Sequence, residues 1–363
     1  MKIAVLGAGN GGQALAAHLT LLGEKVFLYE HPKFSGKLDA IHEQKNCIQL
    51  QGELEGNANL FSVTSDIQEV MSHCEILFFV TPSFAQEEFL DLSIPFFRAG
   101  QIVIFVPGNF GSLVARKKLK EKGLNEGIGI VETDTLPYAC RQSVPGRVDV
   151  WGVKKFLSIS CLPSSNNKHL LPLLESILPI RINPLKNVIN VAFANTNMII
   201  HCPTMIMNTG RIESEKIGFK FYAQGMTKSV CKIMEAMDLE RLRIGKRFSL
   251  SLISEYEDAI SSYGCNEKYS SLFEVLTNNP VYSNHGNDSP KSMDFRYLSE
   301  DVPFLLVPVS EMGKLAGIYS PVINSTIVYA ETINGIQYRK IGRTLEKMGL
   351  EGLAVNEIVK SVA

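Results

Sequence analysis

The sequence predicts an α/β protein in two parts, with a doubly wound parallel sheet in the N-terminal half and mostly helix in the C-terminal half. Three observations lead there. The chain opens on an apolar run, Lys2 to Leu6, followed by Gly7-x-Gly9-x-x-Gly12 and a helical pattern. Up to Ile182, short apolar runs alternate with helical ones, as right-handed βαβ crossovers require. From Asn187 onward the periodicity is helical and strand-like runs are scarce.

Beyond Lys2 the first run has no polar residue, as expected of a strand buried on both faces. In the glycine pattern, Gly7 permits a tight turn, Gly9 lets the backbone approach a pyrophosphate, and Gly12 lets helix and strand pack closely. The helix predicted over Gln13–Leu22 offers its unpaired N–H groups and positive dipole end to that phosphate, and Gly23 stands where a helix stop belongs. A second strand, Lys25–Tyr29, ends at Glu30, close to the roughly 20-residue spacing of the acid that binds a ribose hydroxyl. This is a Rossmann-type dinucleotide fingerprint, and it assigns Gly7, Gly9, Asn10, Gly11, Gly12 and Glu30 to cofactor binding. Lys33 and Lys37 read as solvated surface, with a 2′-phosphate contact as the alternative. Because a carboxylate repels a phosphate, Glu30 favours NAD, with NADP as the second choice.

The segment His31–Leu60 reads as polar and irregular. Thr64-Ser65-Asp66 reads as a cap for a short helix, Ile67–Ser72. Strands are expected at Glu75–Val80, Gln101–Val106 and Ile128–Val131, each running into turn residues on one sheet edge. The first ends at Thr81 and Pro82, where ligands of open α/β sheets bind, and Ser83-x-x-Gln86 reads as a capping box. Glu132–Arg141 reads as turn. Strands at Lys154–Leu162 and Ile177–Ile182 complete a dinucleotide-binding domain, 1–183. The second domain, 184–363, is expected to carry helices over Val188–Asn208, Lys216–Met237, Leu252–Tyr263, Ser310–Ala316, Pro321–Ile333 and Gln337–Met348. A polar loop, Asn278–Asp294, is expected as a lid, and the substrate site in a cleft between the domains.

A net charge of −1 gives no electrostatic reason to expect nucleic acid or an anionic membrane as partner. The seven cysteines are unclustered, without C-x-x-C pairs or zinc spacing, so no metal is expected and a reducing compartment is. Neither a signal peptide nor a membrane helix is legible, which makes the cytoplasm the expected location.

Asn197, His201 and Asn208 share one helical face, although Pro203 is expected to kink or end that helix. A lone histidine on an apolar face is more often a satisfied core residue than a catalyst. Arg296-Tyr-Leu-Ser-Glu-Asp301 supplies an arginine fork that would hold a substrate carboxylate and an aspartate that would fix a histidine tautomer. Together with Leu136-Pro-Tyr-Ala-Cys-Arg141, Asn197-x-x-x-His201-x-Pro203, Asn208-x-Gly210 and Arg296-Tyr-x-x-Glu-Asp301-Val-Pro303, the glycine turn resembles the opine dehydrogenase family (octopine and nopaline dehydrogenases) over essentially the whole chain. The resemblance implies a nicotinamide-dependent reductive condensation of an amino acid with a 2-oxo acid, pyruvate first among the candidates. It further implies His201 as catalytic histidine, Asp301 as its partner, Arg296 on the oxo-acid carboxylate, and Cys140, Asn197 and Asn208 on the substrate. His201 is followed by Cys202 where the family often has proline. The oligomeric state is not legible in the sequence, and a homodimer is one candidate assembly.

Three rival readings remain at this point. Leu185-Lys186-Asn-Val188 resembles the segment that carries the catalytic lysine of glycerol-3-phosphate dehydrogenases, and a 2-hydroxy acid dehydrogenase stands beside it. A non-catalytic dinucleotide-sensing protein would keep the glycine turn without needing His201, Asp301 and Arg296 together.

Overall fold

The computed structural model describes residues 1–124, 126–144, 146–215, 217–262, 269–279 and 289–363. The chain divides into two compact units, Met1–Val191 with Val362–Ala363, and Ala192–Ser361.

Among the described residues the first unit carries twelve strands. They are β1 (Lys2–Leu6), β2 (Lys25–Tyr29), β3 (Cys47–Gly52), β4 (Gly56–Asn59), β5 (Ser62–Thr64), β6 (Ile76–Phe79), β7 (Ile102–Phe105), β8 (Gly129–Thr133), β9 (Tyr138–Val144), β10 (Arg147–Val153), β11 (Phe156–Leu162) and β12 (Arg181–Pro184). Eight of them form one sheet in the order β12-β11-β8-β7-β6-β1-β2-β5. Every pair is parallel except β8 with β11, so the expected all-parallel sheet is in fact mixed, with β11 and β12 running against the rest. The reversal needs no crossover helix, and the antiparallel pair β9–β10 occupies the connection from β8 to β11. Strands β6 and β7 are buried at every position, which is why their sequences are continuous apolar runs.

The remaining four strands form a second sheet, β4-β3-β10-β9. It replaces two expectations, an irregular His31–Leu60 and a turn at Glu132–Arg141. The period-2 signal was present in Cys47-Ile-Gln-Leu-Gln, where Ile48 and Leu50 are buried and Gln49 and Gln51 are exposed. Polar alternate residues masked it. The helix Asn10–Leu21 packs against strands of both sheets.

The second unit is helical. Its longest helix, Lys228–Arg247, opens on Thr227, whose hydroxyl accepts from the Val230 N–H. The fully buried Arg241 fastens that helix to its surroundings through Asp238 at 2.7 Å, the Phe193 carbonyl at 2.6 Å and the Ile253 carbonyl at 2.7 Å. The expected Val188–Asn208 helix is two helices, Val188–Ala194 and Asn197–Met207. Pro203 does not end the second. Met198 to Met205 are all buried, and tertiary packing outweighs the loss of one backbone bond.

The expected Lys216–Met237 helix is instead Phe221–Gly225 followed by the start of Lys228–Arg247, and Leu252–Tyr263 shortens to Glu255–Ser261 behind a Ser254–Glu257 capping box. Helices Val307–Leu315 and Pro321–Asn334 lie close to where they were expected. Only Tyr338–Ile341 of the expected Gln337–Met348 helix forms, because Gly342 lies against the Pro303 carbonyl. Residues 280–288 of the expected lid, and Tyr263, lie outside the described residues. No described helix is long and apolar enough to cross a membrane.

Candidate active site

In the first unit, β1, β6, β7 and β8 end on one sheet edge, and the glycine turn lies there. Gly7 has φ +109°, a conformation an L side chain rarely adopts. A Cβ on Gly12 would fall 1.7 Å from the Gly7 carbonyl oxygen, so close packing dictates that glycine. Gly11 faces the Leu136 side chain, which a Cβ would meet at 2.6 Å. Gly9 is different: its φ is −75° and nothing lies within 4 Å of where its Cβ would be. Neither backbone nor packing requires glycine at that position.

Glu30 is buried and aimed at the turn. One carboxylate oxygen accepts from the Ala8 N–H at 3.1 Å and from Lys37 Nζ at 3.0 Å, and the other accepts from the His31 N–H at 2.9 Å. Lys33 pairs with Glu88 at 2.7 Å. Thr81 Oγ1 is buried with no hydrogen-bond partner among the described residues, and Thr81 Cγ2 lies 2.8 Å from the Cβ position at Gly7. An unmet buried hydroxyl costs about 1–3 kcal/mol, and a ligand at the turn would remove that cost. These features fit a dinucleotide. The Asn10 side chain, expected on the cofactor, accepts from the Gln142 N–H at 3.0 Å and ties the helix start to β9.

Ser83 and Gln86 do not form the expected capping box, and Pro82 is the N-cap of Ser83–Ser93. They reach the neighbouring loop instead: Asn109 donates to Ser83 Oγ at 2.9 Å and Gln86 donates to the Pro107 carbonyl at 2.8 Å. Sequence reasoning missed Glu132, which is fully buried at the end of β8. It accepts from the Phe110 N–H at 2.7 Å and the Ser112 N–H at 3.2 Å, and also from the Ser112 hydroxyl. In this way it fixes the loop in which Asn109 and Phe110 hold positive φ. The signal was an acid ending an apolar strand.

Cys140 lies on β9 opposite Val150, and burial pushes its thiol up to about 12, so it is a neutral thiol. Lys186 is exposed, as a solvated lysine would be.

In the second unit, the helix Asn197–Met207 carries His201. Its Nδ1 lies 2.7 Å from Asp301 Oδ2, its Nε2 lies 3.2 Å from the Tyr222 hydroxyl, and its ring stacks on Tyr297 at 3.9 Å and 21°. Asp301 precedes a π-helical turn, Val302–Leu306, in a stretch where Pro303 and Pro308 lack N–H donors. His201 and Asp301 are separated by 100 positions in the sequence and are both buried, at 7% and 6% exposure. Arg296 Nη2 holds Glu300 at 2.7 Å, and the arginine side chain is 56% exposed. Asn197 starts the His201 helix and is half-buried. The Asn208 amide, expected on substrate, donates to the Thr204 carbonyl at 2.9 Å and the Gly225 carbonyl at 3.0 Å, which makes it a structural tie. Tyr222 and Tyr297 were not anticipated. Each adjoins a residue whose role the sequence did suggest only in the second case, Arg296.

Burial pushes the Asp301 carboxyl above the ordinary carboxylate range, against the pull of the His201 hydrogen bond. A carboxyl raised in this way contributes its stability in full below its unfolded value and loses it as pH rises through the native value. The thermal stability of the wild type relative to Asp301→Asn should therefore fall as pH rises above the ordinary aspartate range. A difference that grows with pH would contradict this.

A dinucleotide turn on a mostly parallel sheet, with a helical unit that carries a buried histidine–aspartate pair, defines a nicotinamide-dependent dehydrogenase. The description "NAD/NADP octopine/nopaline dehydrogenase, alpha-helical domain" matches residues 184–334, and "NAD-dependent glycerol-3-phosphate dehydrogenase N-terminus" matches residues 2–133. An opine dehydrogenase from Arthrobacter sp. (strain 1C) is 32% identical over 360 residues, 99% of this chain and 98% of that protein. Among solved structures, octopine dehydrogenase with NADH and L-arginine matches with TM-score 0.79 at 17% identity, covering 99% of this chain and 98% of that one. Yersinopine dehydrogenase with NADP+ matches with TM-score 0.72 at 12% identity, covering 99% and 97%. The chain belongs to the opine dehydrogenase family, whose members are NAD(P)-dependent oxidoreductases.

Proposed function

We propose that this enzyme condenses the amine of an amino acid with pyruvate and reduces the resulting imine, with His201 as the acid–base group. The observation that carries this reading is the buried His201–Asp301 pair at 2.7 Å, with Arg296 five positions before Asp301 in the chain. Asp301 accepts from Nδ1–H and so leaves Nε2 as the working nitrogen. A histidine so placed exchanges a proton with the carbonyl-derived oxygen as the imine forms. Arg296 spends one nitrogen on Glu300 and has further N–H groups, which hold the oxo-acid carboxylate. Gly7, Gly9 and Gly12 seat the pyrophosphate, Thr81 offers its hydroxyl, and Glu30 takes the ribose. The nicotinamide supplies hydride, so the chain's own task is orientation and proton transfer.

Glu30 favours NADH over NADPH, since its carboxylate already accepts two backbone N–H bonds and repels a 2′-phosphate. We place the enzyme in the cytoplasm as a homodimer. An absorbance assay tests the reading. NADH should be consumed only when pyruvate and an amino acid are both supplied, and faster than NADPH. Consumption with pyruvate alone would indicate a 2-hydroxy acid dehydrogenase.

A further inference from the structure

Both nitrogens of the His201 imidazole are occupied. Nδ1 is on Asp301, Nε2 faces the Tyr222 hydroxyl at 3.2 Å, and Tyr297 covers one ring face. With Asp301 holding the Nδ1–H tautomer, neutral His201 accepts a hydrogen bond from the Tyr222 O–H. Protonated His201 donates Nε2–H to the same oxygen. A proton leaving His201 in this arrangement therefore meets Tyr222 first. Tyr222 is also the more outward of the two, half-buried where His201 is buried.

The short helix Phe221–Gly225 that carries Tyr222 is held against the His201 helix. Asn208 donates to the Gly225 carbonyl at 3.0 Å, Arg211 donates to the Gln224 carbonyl at 3.3 Å, and a Cβ on Gly225 would meet Thr204 Cγ2 at 3.1 Å. The buried Phe221 ring stands edge-on to Tyr222, with centroids 5.4 Å apart at 85°, and lies 4.9 Å from Tyr297.

We propose that Tyr222 is a further catalytic residue, completing a relay Asp301–His201–Tyr222 that protonates the hydroxyl leaving the carbinolamine. The Nε2–H bond of the imidazolium breaks as an O–H bond to the Tyr222 oxygen forms. The original Tyr222 O–H bond breaks as its hydrogen passes to the departing hydroxyl. The C–O bond breaks, water leaves, and the amine lone pair closes the C=N bond. His201 ends neutral, Tyr222 ends unchanged, and the positive charge resides on the iminium, ready for hydride.

This proposal rests on His201 being the acid–base group, and the test separates the two. In Tyr222→Phe, single-turnover NADH oxidation with both substrates saturating should slow about 10²-fold, while NADH affinity and both KM values stay within about twofold. The proton inventory in mixed H2O and D2O should be bowed in the wild type and straight in the variant. A variant rate within about twofold of wild type would overturn the relay and leave the function standing. The function itself fails separately, through His201→Asn keeping the wild-type rate. Should Tyr222→Phe not fold, difluorotyrosine at position 222 keeps the hydroxyl and makes it more acidic. The relay then predicts an altered rate and solvent isotope effect, and identity with wild type in both overturns it.

Discussion

His201→Asn should lower turnover with both substrates present by about 10²- to 10⁴-fold while NADH binding stays close to wild type. Asparagine roughly fills the space of the inner imidazole and can still donate to Asp301, so the aspartate is not left alone in a buried site. It has no nitrogen that takes up or releases a proton at neutral pH, and the face-to-face contact with Tyr297 at 3.9 Å disappears. The glycine turn that seats the cofactor belongs to the first unit and is untouched. Steady-state rates and NADH fluorescence titration separate the two effects. A wild-type rate in this variant would mean that His201 is not the acid–base group.

The second large effect is a contrast between two neighbouring glycines. Gly12→Ala places a methyl 1.7 Å from the Gly7 carbonyl oxygen, inside the turn itself. The helix must move off β1, at a cost of about 1–3 kcal/mol or more, and both melting temperature and NADH binding should suffer. Gly9→Ala meets nothing within 4 Å and keeps an ordinary φ of −75°. It should fold like the wild type and lose about 10- to 100-fold in NADH affinity, because the methyl takes the space of the pyrophosphate. Calorimetric melting and an affinity titration of both variants check the pair. Equal affinity in Gly9→Ala and wild type would mean that the turn does not seat the phosphate.

The strands that position the site were legible because they are short, apolar and buried on both faces, and β6 and β7 are the plainest cases. Asp66 was equally readable as a cap, and its carboxylate accepts from the Gln68 and Glu69 N–H groups. The second sheet was not read, since its β3–β10 pairing joins segments about a hundred residues apart. Ser83 and Gln86 carried a local capping pattern that tertiary partners at Pro107 and Asn109 overrode. Pro203 misled for the reverse reason, since a local breaker lost to burial of the whole helix.

At the site, His201, Asp301 and Arg296 were named from motifs, yet only the fold brings His201 and Asp301 to 2.7 Å. Asn208, expected on the helical face of His201, is the C-cap of that helix, and its amide is taken by two carbonyls, one of them on the helix that carries Tyr222. Tyr222 itself is invisible to spacing, because nothing in a five-residue helix 21 positions downstream announces a partner for Nε2.

The central claim is that the chain reduces an imine made from two substrates. It is tested most directly by following deuterium from 4-deuterated NADH into the product formed with pyruvate and an amino acid. The account predicts a secondary amine joining the two acids, with deuterium on the carbon that was the pyruvate carbonyl and none in the amino acid portion. Deuterium recovered in lactate, or NADH consumed without a joined product, would contradict it.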